Sequence, residues 1–369
     1  MRKIKTQDSL LKIVETEKLH KLAFQGLDLS AVEEQLMNLR VTNCLFMDCE
    51  ISVRLMKHLH PANYIFPGLN VPFSIYPSGL YNKDNLYNGY DYNRPETYFS
   101  TMDKKVYDYY KKMGGSEARN IKETLARSLH DHSIYDAKHE FLAAYDERKV
   151  VAIMGGHKLG RDDALFLQTA RLAKSLTETG YLMTSGGGPG AMEATHLGAW
   201  FAGKTDAELV DAVDMLSPAP VYSHPHWLKT AYMVLEKYPQ TNYLSLGIPT
   251  WLYGHELSTP FATHIAKLFE NSLREEGLLA IAKGGVIFSP GSAGTMQEFF
   301  MDLAQNHYKS YGYASPMIFL GKRYWTEEYP VYPLAKLLID TGKLNGIDLN
   351  IYDENDEIIN HLNTFNQRY

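Results

Sequence analysis

The chain is poor in cysteine and has neither a long apolar segment nor a cluster of basic residues. Of its 369 residues only Cys44 and Cys49 are cysteines, and two strand residues five positions apart point to opposite faces, so no disulfide between them is expected. No apolar run approaches the length of a membrane span, and the charged N-terminus lacks the apolar core of a signal peptide. These absences predict a cytoplasmic protein with two reduced thiols.

The charge pattern argues against a polyanionic partner. The formal net charge is −6, and the basic stripe that is typical of nucleic-acid binders is missing. Two histidine pairs, His130 with His132 and His224 with His226, have no identifiable third ligand nearby, so polar or helix-capping roles are favoured over a metal site. The sequence therefore predicts no nucleic-acid partner, no membrane contact and no metal.

Composition divides the chain into four segments. Residues 1–115 mix short apolar runs with a tyrosine-rich stretch, YPSGLYNKDNLYNGYDYNRPETYFS, and are expected to form an α+β extension. Residues 116–148 have the spacing of helices and are predicted to be a helical connector. Residues 149–345 are predicted to form the main domain, and residues 346–369 a C-terminal tail.

Within residues 149–345, strand-like and helix-like patterns alternate. The runs VVAIMGG, YLMTS, YLSLGIP and GGVIFSP are typical of buried strands, FATHIAKLF is a further candidate, and PMIFLGK is the last clear one. A polar, partly helical insertion occupies about residues 204–242. This alternation predicts an α/β fold with a doubly wound, mostly parallel, Rossmann-like sheet, preceded by the α+β extension.

Three glycine-bearing loops follow predicted strands. The first glycine loop is MGGHKLG (154–160), the second is SGGGPGAME (185–193) and the third is SPGSAGTMQE (289–298). Because glycine has no Cβ and a helix N-terminus has unpaired amides, such loops can hold an anion. Glu298, in the first turn of its helix, would repel a phosphate at the same amides. We therefore expect the second loop to hold the phosphate and Glu298 to face a sugar hydroxyl or a water.

A dinucleotide site is the competing interpretation of the second loop. Gly186, Gly188 and Ala191 fit the pattern G-x-G-x-x-A. The loop, however, follows the second strand of the pattern, and the acidic residues about twenty positions on fall in the polar insertion rather than at a strand end. A single phosphate or a mononucleotide is therefore favoured over NAD.

The second and third loops together resemble the paired signature of the LOG family, a triple-glycine loop plus P-G-G-x-G-T-x-x-E. This family includes cytokinin riboside 5′-monophosphate phosphoribohydrolases, and the resemblance, over residues 149–325, is closest to the larger bacterial nucleotide 5′-monophosphate nucleosidases. It implies hydrolysis of the N-glycosidic bond of a nucleoside 5′-monophosphate to free base and ribose 5-phosphate, without a cofactor, by a homodimer or homotetramer. The alternative is a nucleotide-binding sensor or carrier without turnover.

The resemblance also implies roles for individual residues. Glu298 matches the glutamate of the signature and Arg274 an upstream arginine, so both are expected to be catalytic, although a gapless count places Glu275 at the arginine position. Ser292 replaces the second glycine of the signature. Trp251 and Tyr253 are candidates for stacking on the base, with a packed loop as the equally favoured alternative. The residues expected to bind phosphate or ribose are Gly186, Gly187, Gly188, Gly190, Met192, Glu193, Gly291, Ser292, Gly294 and Thr295, with Gly155 and Gly156 in the first loop.

Overall fold

The computed structural model describes residues 1–16 and 18–368. The chain forms two compact units, one made of Met1–Leu80 with Met113–His139 and the other of Tyr81–Lys112 with Glu140–Tyr369. Part of the tyrosine-rich stretch therefore belongs to the second unit, where the Tyr87 hydroxyl donates to the carbonyl of Ser258. The division predicted from composition grouped that stretch with the N-terminal segment.

Strands and helices alternate along most of the chain. The strands are β1 Arg2–Ile4, β2 Lys18–His20, β3 Leu22–Gln25, β4 Arg40–Thr42, β5 Leu45–Met47, β6 Tyr64–Phe66, β7 Val150–Met154, β8 Leu182–Ser185, β9 Ser245–Gly247, β10 His264–Ile265, β11 Gly285–Phe288, β12 Met317–Leu320 and β13 Leu349–Tyr352. The helices are α1 Gln7–Ile13, α2 Glu33–Asn38, α3 Val53–Leu59, α4 Lys83–Leu86, α5 Met102–Lys112, α6 Ile121–Leu142, α7 Ala164–Glu178, α8 Ala191–Trp200, α9 Asp206–Leu216, α10 Trp227–Lys237, α11 Asn271–Ile281, α12 Ala293–Tyr308, α13 Val331–Asp340 and α14 Asn355–Arg368.

The first unit contains two parallel sheets. One has the strand order β1-β3-β5-β6, and the other pairs β2 with β4. Its core includes Phe24 and Phe46 on neighbouring strands, whose rings stack with centroids 4.8 Å apart. Cys44 is buried and Cys49 is half-buried, and neither forms a disulfide.

The second unit contains a seven-stranded, all-parallel sheet, which confirms the predicted α/β class. Its order is β10-β9-β8-β7-β11-β12-β13. Every residue of β7 is buried, as expected for a continuous apolar run covered on both faces. From β7 the chain adds strands outward to β10 and then returns to place β11 on the other side of β7. Ligands of such sheets bind at this reversal, outside the carboxyl ends of the strands.

The C-terminal segment is not a tail. Residues 346–369 contain β13, which pairs in parallel with β12, and α14, whose Ile358 and Leu362 are buried in the core beside β7 and β8. The sequence pattern missed β13 because it is an edge strand with all four residues only half-buried, so it lacks a continuous apolar run.

Candidate functional site

The three glycine loops meet at the carboxyl edge of the seven-stranded sheet. The amide of Gly156 in the first loop donates to the carbonyl of Pro290 in the third loop at 3.0 Å, and the amide of Ala191 in the second donates to the carbonyl of Gly156 at 3.2 Å. The contact is so close that a Cβ on Gly190, whose φ is +71°, would overlap the Gly156 carbonyl. The first loop thus joins the other two.

The start of α8, in the second loop, is closed. The amide of Gly187 donates to the Ser185 hydroxyl at 3.1 Å, and Ala191 is already bonded to Gly156. Gly186, Gly187, Gly188 and Gly190 are all buried. This differs from the expectation that the second loop offers its amides to a phosphate, because the neighbouring loop and a serine side chain already accept two of the amide protons there.

The start of α12, in the third loop, is open. Ser292 and Gly294 are exposed, and no side chain caps the helix. Among the residues that the structure describes, none accepts a hydrogen bond from the amides of Ala293, Gly294 or Thr295. Uncapped amides and the positive end of the helix dipole make this end of α12 suitable for an anion.

Tyr324 holds the third loop in place, although no sequence pattern singled it out. Its hydroxyl donates to the carbonyl of Gly291 at 2.7 Å. Gly291 is itself tightly covered, because a Cβ there would overlap the Thr295 hydroxyl. The neighbouring Trp325 is fully buried and donates to the carbonyl of Phe288 at the end of β11. The loop before α12 is therefore anchored from the segment that follows β12.

Arg274 and Glu298 form an ion pair at the centre of this edge. Nη1 of Arg274 donates to Oε1 of Glu298 at 3.2 Å, and its Nε donates to the carbonyl of Ile248 at 3.2 Å. Nη2 lies beneath Gly186, where a Cβ would overlap it. The two charged side chains are only 12% and 9% exposed. Burial raises the pKa of Glu298, while the charge of Arg274 opposes that shift.

Glu275, which a gapless count would align with the arginine, has a different environment. Asn271 Nδ2 donates to its Oε1 at 2.7 Å, and Gln297 Nε2 donates to its Oε2. Its Oε1 lies 3.9 Å from Arg274 Nη1, whereas Oε1 of Glu298 lies 3.2 Å from the same nitrogen. The structure therefore brings Arg274, and not Glu275, into hydrogen-bond contact with Glu298.

Glu193 does not line an open site, in contrast to the hypothesis made from the sequence. It is fully buried, and both its carboxylate oxygens accept hydrogen bonds from Arg161, Nε to Oε2 at 2.8 Å and Nη2 to Oε1 at 2.5 Å. The Arg161 guanidinium also lies 4.4 Å from the ring centroid of Trp227. Met192, by contrast, is half-buried, with its sulfur beneath Gly186.

Of the two candidate stacking residues, the structure leaves only Tyr253 accessible. Trp251 is fully buried, stacks on Phe269 with centroids 5.7 Å apart, and has the ammonium of Lys267 4.2 Å from its ring centroid. The stacking hypothesis is therefore wrong for Trp251, because its ring belongs to the core. Tyr253 is 43% exposed.

A further acidic residue, Glu256, lies near the second loop. Its Oε2 would be 4.0 Å from a Cβ on Gly188, and its Oε1 lies 3.9 Å from His157 Nδ1 and 3.8 Å from His255 Nε2. The ring of Tyr222 lies near both histidines. Neither His255 nor Glu256 was a candidate from the sequence, since their neighbours come from two other loops.

The described residues contain neither a metal centre nor a membrane-spanning helix. No group of three or more His, Cys, Asp or Glu side chains among residues 1–16 and 18–368 is arranged to hold a metal ion. Over the same residues, no helix combines the length and the apolar character needed to cross a bilayer.

Comparisons with known proteins give no functional assignment. No protein-family model matches the chain, and no curated protein matches it. Among solved structures, it is similar to the molybdenum cofactor binding protein from the phototrophic bacterium Rippkaea orientalis, with 14% identity and a TM-score of 0.35. The match covers 58% of this chain and 96% of that one. A likeness this distant carries no argument about function.

Proposed function

We propose that this protein hydrolyses the N-glycosidic bond of a nucleoside 5′-monophosphate, releasing the free base and ribose 5-phosphate. The observation that carries the proposal is the Arg274–Glu298 ion pair, which lies between two glycine loops and next to an uncapped helix N-terminus. The resemblance of the second and third loops to the LOG signature supports the same reaction.

The start of α12 is the proposed phosphate site. Ala293 and Gly294, which carry two of its free amides, are exposed, whereas the residues at the start of α8 are buried and the amides of Gly187 and Ala191 are bonded. Glu298 lies in the second turn of the same helix, not in the first as the sequence suggested, and its negative charge alone would oppose a phosphate at the helix start. Arg274 offsets that charge at 3.2 Å. Its Nη2, which donates to no acceptor among the described residues, is also available to the substrate.

Glu298 is the proposed catalytic carboxylate. Cleavage of an N-glycosidic bond passes through an oxocarbenium-like state, in which positive charge develops on the ribose ring. An ionised carboxylate beside the ribose stabilises that charge and orients the attacking water, from which it can accept a proton. Arg274 favours the ionised form, which burial alone would disfavour. The bond electrons pass to the base nitrogen, and the water oxygen joins C1′.

The test is to incubate the protein with AMP, GMP, IMP, CMP and UMP and to measure free base and ribose 5-phosphate by chromatography. We expect base release from at least one of them, and loss of that release in Glu298→Gln with nucleotide binding retained. Glu276→Gln, the same change at an exposed position of α11, is the matched control and should keep full activity.

Tight nucleotide binding by the wild-type protein without base release from any monophosphate would contradict the hydrolase proposal. It would support the nucleotide-binding sensor or carrier instead. The proposal extends to a homo-oligomer in the cytoplasm that needs no cofactor. Light scattering coupled to size-exclusion chromatography tests the assembly, and activity after exhaustive treatment with EDTA tests the independence from metals.

A further inference from the structure

Glu256 presents a carboxylate to the second glycine loop without a hydrogen-bond donor. Its side chain is 13% exposed, and neither of its carboxylate oxygens accepts a hydrogen bond from any of the described residues. The nearby imidazole nitrogens of His255 and His157 are 3.8 and 3.9 Å away. A largely buried acceptor without a donor is unfavourable by itself. A ligand that brings an N–H group to this position would satisfy it.

The two oxygens of Glu256 face different surroundings. Oε1 faces the imidazoles of His157 and His255, whereas Oε2 faces Gly188, 4.0 Å from the position of a Cβ there. The Tyr222 ring centroid lies 5.9 Å from that of His157 and 6.5 Å from that of His255. An acceptor atom beside a glycine loop, with three planar rings near the other oxygen of the same carboxylate, is suited to the polar edge of a nucleobase.

The sheet order separates Glu256 from the proposed reaction centre. Glu256 follows β9 and Glu298 follows β11, with β8 and β7 between them. Three strand spacings correspond to roughly 14 Å at the level of the sheet. The phosphate proposed at the start of α12 and the ribose beside Glu298 would therefore lie at the β11 side. The base would extend over the second loop towards Glu256.

We propose that Glu256 selects nucleotides whose base has an exocyclic amino group, with Oε2 accepting a hydrogen bond from that group. The inference rests on the proposed function for the orientation of the nucleotide. An amino group donates its protons to the carboxylate, whereas an oxo group at the same ring position would bring a second acceptor against it. AMP should thus be preferred over IMP, and CMP over UMP.

The members of each pair differ by amino against oxo at one ring position and by the N–H that the oxo base carries on the adjacent ring nitrogen, so they test whether Glu256 prefers the exocyclic amino group. For the wild-type protein we expect kcat/KM to favour the amino member of each pair by on the order of 10- to 100-fold. In Glu256→Gln the ratio should fall close to one, because an amide can turn either its oxygen or its NH2 group to the base. Glu276→Gln should keep the wild-type ratio.

Two further measurements separate recognition from damage to the fold. Glu256→Gln should bind ribose 5-phosphate as the wild-type protein does, because that ligand lacks the base. Glu256→Asp, which keeps an acceptor one methylene farther away, should keep the direction of the preference and reduce its size. An amino to oxo ratio of kcat/KM close to one for both pairs in the wild-type protein would overturn the proposal. A ratio in Glu256→Gln that is unchanged from the wild-type value would overturn it as well.

Binding measurements distinguish this proposal from that of the hydrolase. Suppose that the wild-type protein releases no base but binds AMP more tightly than IMP, and that Glu256→Gln removes the difference. The hydrolase proposal then fails and the recognition role is supported. If bases are released but Glu256→Gln leaves the AMP to IMP ratio of kcat/KM unchanged, the hydrolase proposal stands and the recognition role is refuted.

Discussion

The guanidinium of Arg274 occupies the space that a side chain at Gly186 would need. The arginine comes from α11 and the glycine from the second loop, and the same guanidinium contacts Glu298 on α12. A glycine of a phosphate-loop pattern therefore serves here to admit an arginine. The position of the proposed catalytic carboxylate thus depends on a residue in another loop.

Substituting Gly186 with alanine should slow base release on the order of 100-fold without unfolding the protein. The new methyl group would overlap Arg274 Nη2 and the Met192 sulfur, both of which are ends of flexible side chains that can move. Displacing the arginine moves the Glu298 carboxylate, and errors of about 1 Å in such groups cost on the order of 100-fold in rate. Gly79→Ala, where a Cβ meets nothing within 4 Å, is the control. Wild-type kcat/KM in Gly186→Ala would contradict this.

The pH dependence of base release should report the ionisation of Glu298. Its pKa is raised by burial and lowered by Arg274, and only the ionised form supports the reaction, so kcat/KM should fall as the pH drops through that pKa. Arg274→Gln removes the opposing charge, so the acidic limb of the kcat/KM profile should move to higher pH. The same substitution should also lower the rate. Arg274→Lys keeps the charge and should shift the limb less. An acidic limb at the same pH in all three proteins would argue against Glu298 as the titrating group.

Ser292 provides a test in which stability and affinity should change in opposite directions. It is the N-cap of α12 but makes no capping bond. Ser292→Asp should cap the free amides and stabilise the protein by about 1 kcal/mol, while its charge weakens the binding of ribose 5-phosphate. Ser292→Asn can cap without a charge, so it should weaken binding less. Urea unfolding and calorimetric titration measure the two effects. Unchanged ribose 5-phosphate affinity in Ser292→Asp would place the phosphate elsewhere.

Asp302, one turn beyond Glu298 on α12, should make the protein less stable as the pH rises from about 4 to about 7. Burial raises its pKa from 3.8 to about 7, although Gln305 and Asn306 donate to it. The folded state therefore favours the protonated acid. This contribution to stability is complete below pH 3.8 and is lost as the pH rises through about 7. Since one pKa unit is worth about 1.4 kcal/mol, the rise from 3.8 to about 7 makes this loss on the order of 4 kcal/mol.

The variant Asp302→Asn tests this, because it cannot ionise. It should flatten the fall in the free energy of unfolding between pH 5 and pH 8 and be more stable than the wild-type protein at pH 8. Asp214→Asn, at an exposed position of α9, is the matched control and should reproduce the wild-type slope. If Asp302→Asn shows the wild-type slope as well, another group is responsible for the pH dependence.

The sheet and the meeting of the glycine loops were predictable because both depend on local signals. The buried run of β7 and the glycines after β7, β8 and β11 stand out in the sequence, and a parallel sheet brings such loops to one edge. Which helix start stays open was not predictable. That depends on the bond from Ala191 to Gly156, which joins two loops whose separation along the chain says nothing about their register, and on the loop conformation that brings the Ser185 hydroxyl to the amide of Gly187.

The wrong assignments involve side chains whose partners are distant in sequence. Glu193 looked available because it belongs to the second glycine loop, yet Arg161, which directly follows the first loop, binds both its oxygens. Trp251 looked like a stacking residue, but Phe269 and Lys267 enclose its ring. Conversely, Tyr324 was not selected because its role depends on its hydrogen bond to Gly291. Glu256 was not selected because its role depends on its position beside Gly188. Composition and spacing do not encode such pairings.

The buried Arg161–Glu193 pair indicates a structural role for the polar insertion of residues 204–242, which its sequence does not predict. Arg161 also donates to the carbonyl of Ala219, the carbonyl of Trp227 and the hydroxyl of Thr230, all of which lie in residues 204–242. Trimming that segment to obtain a smaller domain would remove these three acceptors from the Arg161 guanidinium. Unmet donors on a charged group are costly in a protein interior. The insertion therefore helps to hold the segment after the first glycine loop against the second loop, and a minimal version of the second unit has to include it.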